Sequence, residues 1–264
     1  MSYTNVRFGT IGQVATITLN RPDAFNAFNI PMLKELLEIS ENVALDENVR
    51  AVIFTGEGRA FCAGADVKGI DDLLGLTKEK PEGEDILKSL TRLILSIRKM
   101  PKPVVAALNG VAAGSGANLA LACDIIIASE KARFAQNFVN IGLIPDAGGT
   151  FFLPQRIGYH RAAEHFFTGE ILSAEQALEL GLYNRVVPHD EIMKAAQELA
   201  ADLAQRPTRA IAACKAILNR EVLARLPLYL EEENRCQRLM VTTEDAREGI
   251  TAFGEKRKPT FAGK

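Results

Sequence analysis

The chain has 264 residues, 47% hydrophobic and 24% charged, which is enough to bury a core without disulfide or metal staples. A net charge of −2 with interspersed signs leaves no electrostatic footprint for nucleic acid or an anionic membrane. No apolar run reaches the roughly 18 residues of a membrane span, the N-terminus reads as neither signal nor transit peptide, and cysteines 62, 123, 214 and 236 lack metal-ligand spacing. These features predict a cytoplasmic protein with reduced thiols and no metal site.

Val6 to Leu19 reads as a β-hairpin turning at Gly9–Gly12, with Val14–Leu19 as its second strand. Pro31 opens a helix that runs to about Leu45. Ala51–Thr55 is a buried strand, and residues 69–85, which carry Gly75, Pro81 and Gly83, read as a mobile surface segment. A helix over Ile86–Lys99 stops at Met100-Pro101-Lys102-Pro103, and Val104–Leu108 is the next strand. Gly116–Ala122 starts a buried helix and Asp124–Ala128 is another apolar strand. Beyond Ser173 strands nearly vanish, and helices are expected over 174–181, 190–205, 208–222, 227–240 and 244–253, with breaks at Pro207 and Pro227. The alternation predicts an α/β core, residues 1–200, followed by a helical region over 201–264. Glu231-Glu232-Glu233 reads as a solvated helix face.

Two small-residue loops follow apolar strands: Phe61-Cys62-Ala63-Gly64-Ala65-Asp66-Val67, and Asn109 to Asn118 around Gly114-Ser115-Gly116. Small side chains let backbone N–H groups approach a ligand closely, and two such groups can hold one developing oxyanion. Gly114-Ser115-Gly116 lacks the third glycine of a dinucleotide fingerprint, because position 119 is Leu. Ser115 is flanked at two residues on either side by Ala113 and Ala117 rather than by glycines, so it spells no nucleophile elbow. Asp146 stands between the apolar Ile141, Leu143, Ile144 and Pro145 and a Gly148-Gly149-Thr150 that opens a helix. It reads either as an N-cap or as a carboxylate of raised pKa that exchanges protons with a carbon acid.

These blocks resemble the crotonase superfamily of enoyl-CoA hydratases and isomerases. The likeness runs from Leu19-Asn20-Arg21-Pro22, through Ala60 to Asp66, Ala122-Cys123-Asp124-Ile125 and Gly142 to Thr150, to Glu248-Gly249 and Phe253 to Arg257. It implies a ββα spiral core, C-terminal helices used in a homotrimer or dimer of trimers, and an acyl-CoA thioester as substrate, with no separate cofactor. The N–H groups of Ala65 and Ser115 would form the oxyanion hole. Ala63, Asp66, Val67 and Lys68 would lie near the CoA, with Phe253 and Lys256 reaching a CoA bound to a neighbouring subunit. Hydratases of the family carry two glutamates; their places here hold Asn118 and Phe138. Asp146 stands where the family's isomerases and dehalogenases put a carboxylate, in a wording most similar to ring-1,2-epoxyphenylacetyl-CoA isomerases. The resemblance therefore implies an isomerase with one base, Asp146, in a site kept dry by Phe138, acting on a ring epoxide or on Δ3-enoyl chains. The role of Asn118 stays open between binding substrate and holding its loop. A dehalogenase or thioesterase with Asp146 as nucleophile, and a non-catalytic CoA-ester-binding subunit, remain as alternatives.

Overall fold

The computed structural model describes residues 3–66 and 85–264. The surface segment expected over 69–85 falls outside them except for Asp85, and so do Val67 and Lys68. The hairpin forms, with a later turn than expected: β1 (Val6–Ile11) pairs antiparallel with β2 (Val14–Leu19), Val6 opposite Leu19, so Gly9, Thr10 and Ile11 are strand residues and the chain turns at Gly12, at a φ of +59°, and Gln13. Asn29 caps α1 (Ile30–Leu45) by accepting the Met32 N–H at 2.9 Å.

A unit then recurs. A long strand, β3 (Ala51–Gly56), is followed by a three-residue strand, β4 (Ala60–Cys62), and later by α2 (Ile86–Lys99), whose first turn Asp85 caps. Next come β5 (Val104–Leu108), β6 (Val111–Ala113) and α3 (Ser115–Ala122), then β7 (Ile125–Ser129) and β8 (Arg133–Ala135). Three-residue strands carry too little periodicity to read from sequence, which is why the recurrence is faint there. The first two bends need a residue without a side chain: a Cβ on Gly56 would sit 2.3 Å from the Ala60 carbonyl oxygen, and one on Gly110 2.0 Å from the Arg59 carbonyl oxygen.

The remaining elements are α4 (Gly149–Ile157), α5 (Tyr159–Thr168), β9 (Ile171–Ser173), α6 (Ala174–Glu179), β10 (Arg185–Val187), α7 (Ile192–Gln205), α8 (Thr208–Leu218), α9 (Arg220–Met240) and α10 (Glu244–Glu255). Among the described residues, β1-β2-β3-β5-β7-β10 form one sheet, parallel beyond the hairpin, and β4-β6-β8-β9 form a second. The central strands are largely apolar because both faces are covered. Val52, Phe54, Val104 and Ala106 point into the main core, whereas Ala51, Ile53, Val105 and Ala107 pack on Ile192, Ala196, Ala200 and Ala204 of α7. That stripe runs through residue 200, where the sequence reading begins its helical region.

Pro227 does not end a helix, contrary to expectation. It lies inside the continuous α9, at the cost of one backbone hydrogen bond. Its neighbours Leu226 and Leu230 are fully buried, and that burial holds the helix together across the missing donor. Among the described residues no helix is long and apolar enough to cross a membrane.

Candidate active site

The two small-residue loops meet. Gly64, at a φ of +98°, sits so close to the second loop that a Cβ on it would lie 3.1 Å from the Ala113 carbonyl oxygen and 3.5 Å from the Ser115 nitrogen. Ala65 makes a single parallel bridge to Phe28, formed by the Phe28 N–H donating to Gly64 O at 2.8 Å and the Asp66 N–H donating to Phe28 O at 2.9 Å. A bridge of this kind uses the carbonyl before Ala65 and the N–H after it, so Ala65's own N–H points the other way. Ser115 is the first residue of α3, where N–H groups lack intrahelical acceptors. Gly116 lets α3 press onto β4, since a Cβ there would lie 2.3 Å from Cys62 O. Phe138 is buried, and its ring would touch a Cβ on Gly114 at 3.4 Å. It therefore walls the second loop.

Asp146 joins this place from 31 residues away. It is 3% exposed, and its Oδ1 accepts the Ser115 hydroxyl at 2.6 Å. Burial pushes its pKa up to about 6, against the pull of hydrogen bonds from Ser115 and Gln237. Of its two sequence readings, the raised-pKa one matches this environment. Asn118 is fully buried; its Nδ2 donates to the Asp146 backbone oxygen at 2.7 Å, and its Oδ1 accepts Gln136 Nε2 at 2.6 Å. Both ends of the Asn118 amide are thus spent on protein groups, so it holds the turn that carries Asp146.

The turn after Asp146 is unusual: Ala147 has a φ of +51° and Gly148 one of +83°, and the left-handed region disfavours alanine. Glu233 supports it. Its Oε2 accepts the Gly148 N–H at 2.7 Å, and its Oε1 accepts the Thr150 N–H at 2.8 Å and the Thr150 hydroxyl at 2.5 Å. Glu233 is 3% exposed, and burial pushes its pKa up to about 7, with the Asp146 charge adding to the rise. This corrects the solvated-face reading of Glu231–Glu233: Glu232 does face water and pairs with Arg235, but Glu233 does not. The missed signal was spacing. Leu226, Leu230, Glu233 and Gln237 step by four, three and four residues, so the two polar residues continue the buried stripe.

Ala63 and Asp66 flank the first loop, and Val67 and Lys68 lie outside the described residues. Ala63 is exposed beside Gly64, and Asp66 pairs with Arg21 at 3.0 Å. Phe253 is 62% exposed, and Lys256 closes α10 in a left-handed conformation.

A family model described as enoyl-CoA hydratase/isomerase matches residues 9–264. The chain belongs to that family. It is 42% identical over 252 residues to the 1,2-epoxyphenylacetyl-CoA isomerase of Escherichia coli K12, covering 95% of each chain. It is 36% identical over 259 residues to a short-chain-enoyl-CoA hydratase of Clostridium acetobutylicum, covering 98% of this chain and 97% of that one. The crystal structure of an enoyl-CoA hydratase from Mycobacterium avium subsp. paratuberculosis superposes with a TM-score of 0.88 at 34% identity, covering 99% of this chain and 100% of that one. The fold is the crotonase fold, as the sequence blocks implied.

Proposed function

We propose that this family member is an acyl-CoA isomerase that moves one proton with one carboxylate. The observation that carries the proposal is the placement of Asp146: buried, raised toward neutrality, and joined through Ser115 to the loop whose backbone N–H stands beside Gly64. The thioester carbonyl sits between the N–H groups of Ala65 and Ser115. When a carbon-bound proton leaves, negative charge grows on that oxygen, and each well-aimed donor lowers the barrier by about 3–4 kcal/mol. Asp146 takes the proton from one carbon and returns it to another, so no second acid is required. Asn118 and Phe138 fill the positions where hydratases of the family keep the glutamates that handle water, and Phe138 shields the base.

The likeness to the Escherichia coli isomerase supports a ring-epoxide thioester as substrate, with Δ3-enoyl-CoA chains as a second class using the same step. Coenzyme A enters as part of the substrate. The exposed Phe253 and Lys256 suit contact with a CoA on a neighbouring subunit of a trimer.

The test is Asp146→Asn, which keeps size and removes the base. With 3-hexenoyl-CoA in deuterated water, wild type incorporates deuterium and forms the 2-enoyl product, and the variant is expected to lose about 10²- to 10⁴-fold in rate. Near-wild-type exchange in the variant would return Asp146 to the role of a helix cap.

A further inference from the structure

Helix α9 grips the segment carrying Asp146 at two points one turn apart. Gln237 lies against the Ile144 backbone as a strand would: its Oε1 accepts the Ile144 N–H at 3.1 Å and its Nε2 donates to Ile144 O at 3.0 Å. Glu233 takes three donors from Gly148 and Thr150. Asp146 is thus bracketed on both sides, and Gln237 also hydrogen-bonds to its carboxylate. A donor set of two N–H groups and one hydroxyl matches an ionised carboxylate, which only accepts. It also holds the left-handed Ala147 in place, a conformation that a free loop would relax.

We propose that Glu233, with Gln237, is a positioning residue that holds the Asp146 carboxylate in register with the Ala65 and Ser115 amides, so that helix α9 completes the site. The inference deepens the isomerase reading and rests on it. A shift of about 1 Å in a reacting group is enough to cost on the order of 10²-fold in rate. The charge of Asp146 also acts on Glu233 and raises its pKa. From the packed elements, α3 contributes neutral Ser115 and Asn118, and α4 contributes neutral Thr150. Thr91 of α2 bonds to Asn234, Asp85 pairs with Arg238, and on α9 itself Glu232 pairs with Arg235. Among the described residues, Asp146 is the charged group whose field reaches Glu233.

Two variants test the clamp, assayed with 3-hexenoyl-CoA. Glu233→Gln sets an NH2 against the amide donors. Its kcat is expected to fall about tenfold or more with KM within about twofold, and the acid limb of kcat/KM to stay in place, because Glu233, pushed up to about 7, is still protonated as Asp146 ionises at about 6. Glu233→Asp keeps the acid but not the reach, so kcat falls there too. Wild-type kcat in both, or a rise in KM that accounts for the loss, overturns the proposal. Carboxyl carbon-13 NMR of the wild-type enzyme gives a reading that needs no variant to fold. The Asp146 signal is expected to titrate in two coupled steps, and a single step with no trace of Glu233 overturns the proposal. Should Asp146→Asn keep its exchange activity, the base assignment falls, while the NMR coupling still judges the clamp by itself.

Discussion

The proposed site has two sides that are built differently. The amide side, Ala65 and Ser115, consists of backbone groups delivered by the ends of β4 and β6 and locked by close packing of the sheets. The carboxylate side, Ile144 to Thr150, is an irregular turn whose shape comes from side chains of a helix some 85 residues further on. Backbone donors need only glycines and a sheet to aim them. A side-chain base in a left-handed turn needs partners from elsewhere, and those partners also tune its charge. Ser115 spans the divide, with its N–H on one side and its hydroxyl on the other.

The comparison breaks most sharply at Gly116. Gly116→Ala puts a Cβ 2.3 Å from Cys62 O and 2.6 Å from Cys62 Cβ, which forces α3 away from β4. We expect a stability loss of about 1–3 kcal/mol in chemical denaturation and, as the Ser115 amide moves, a fall in kcat/KM on the order of 10²-fold. The acid limb should stay where it is. Its movement would show that the two sides are not separable.

A smaller effect tests the carboxylate side alone. The folded pKa of Asp146, about 6, lies above its ordinary 3.8, so the fold favours the protonated form. The stabilising contribution of that form is full below about pH 4 and is lost as the pH rises through about 6. Asp146→Asn cannot ionise, and it should therefore be more stable than wild type at pH 8 by about 1–3 kcal/mol, with the gain vanishing toward pH 4. Thermal unfolding at both pH values checks this, and equal stability at pH 8 would contradict the burial argument.

The smallest expected effect comes from the bridging residue. Ser115→Ala keeps the backbone N–H and deletes the hydroxyl bond that favours the ionised Asp146. The acid limb should move upward, by less than about one pH unit, with kcat at high pH changed little. A downward movement would mean that the hydroxyl does not donate to the carboxylate.

Much of this was legible locally. Apolar runs over 51–55 and 104–108, the opening of α1 at Pro31 and the stop of α2 at Met100-Pro101 follow from patterns within a turn or two, and observed and expected boundaries differ by a residue or so. Asp146 stood out because apolar neighbours and a Gly-Gly turn surround it in the chain itself. Pro227 and Glu233 misled for the opposite reason. A proline inside a helix and a glutamate in an acidic run each have a sound local reading, and what overrides it is burial against residues far away.

Composition and periodicity on their own determined an α/β core, two loops small enough to expose their amides, and one acid in an apolar stretch, since these depend on neighbours in sequence. Only the tertiary structure decided that Ser115 meets Asp146, that Asn118 spends both ends of its amide on Gln136 and the Asp146 backbone, and that α9 turns Glu233 and Gln237 inward onto that turn. An amphipathic pattern says which face is buried. It does not say which carbonyl, amide or carboxylate lies on the other side, because that partner is set by chain topology rather than by spacing.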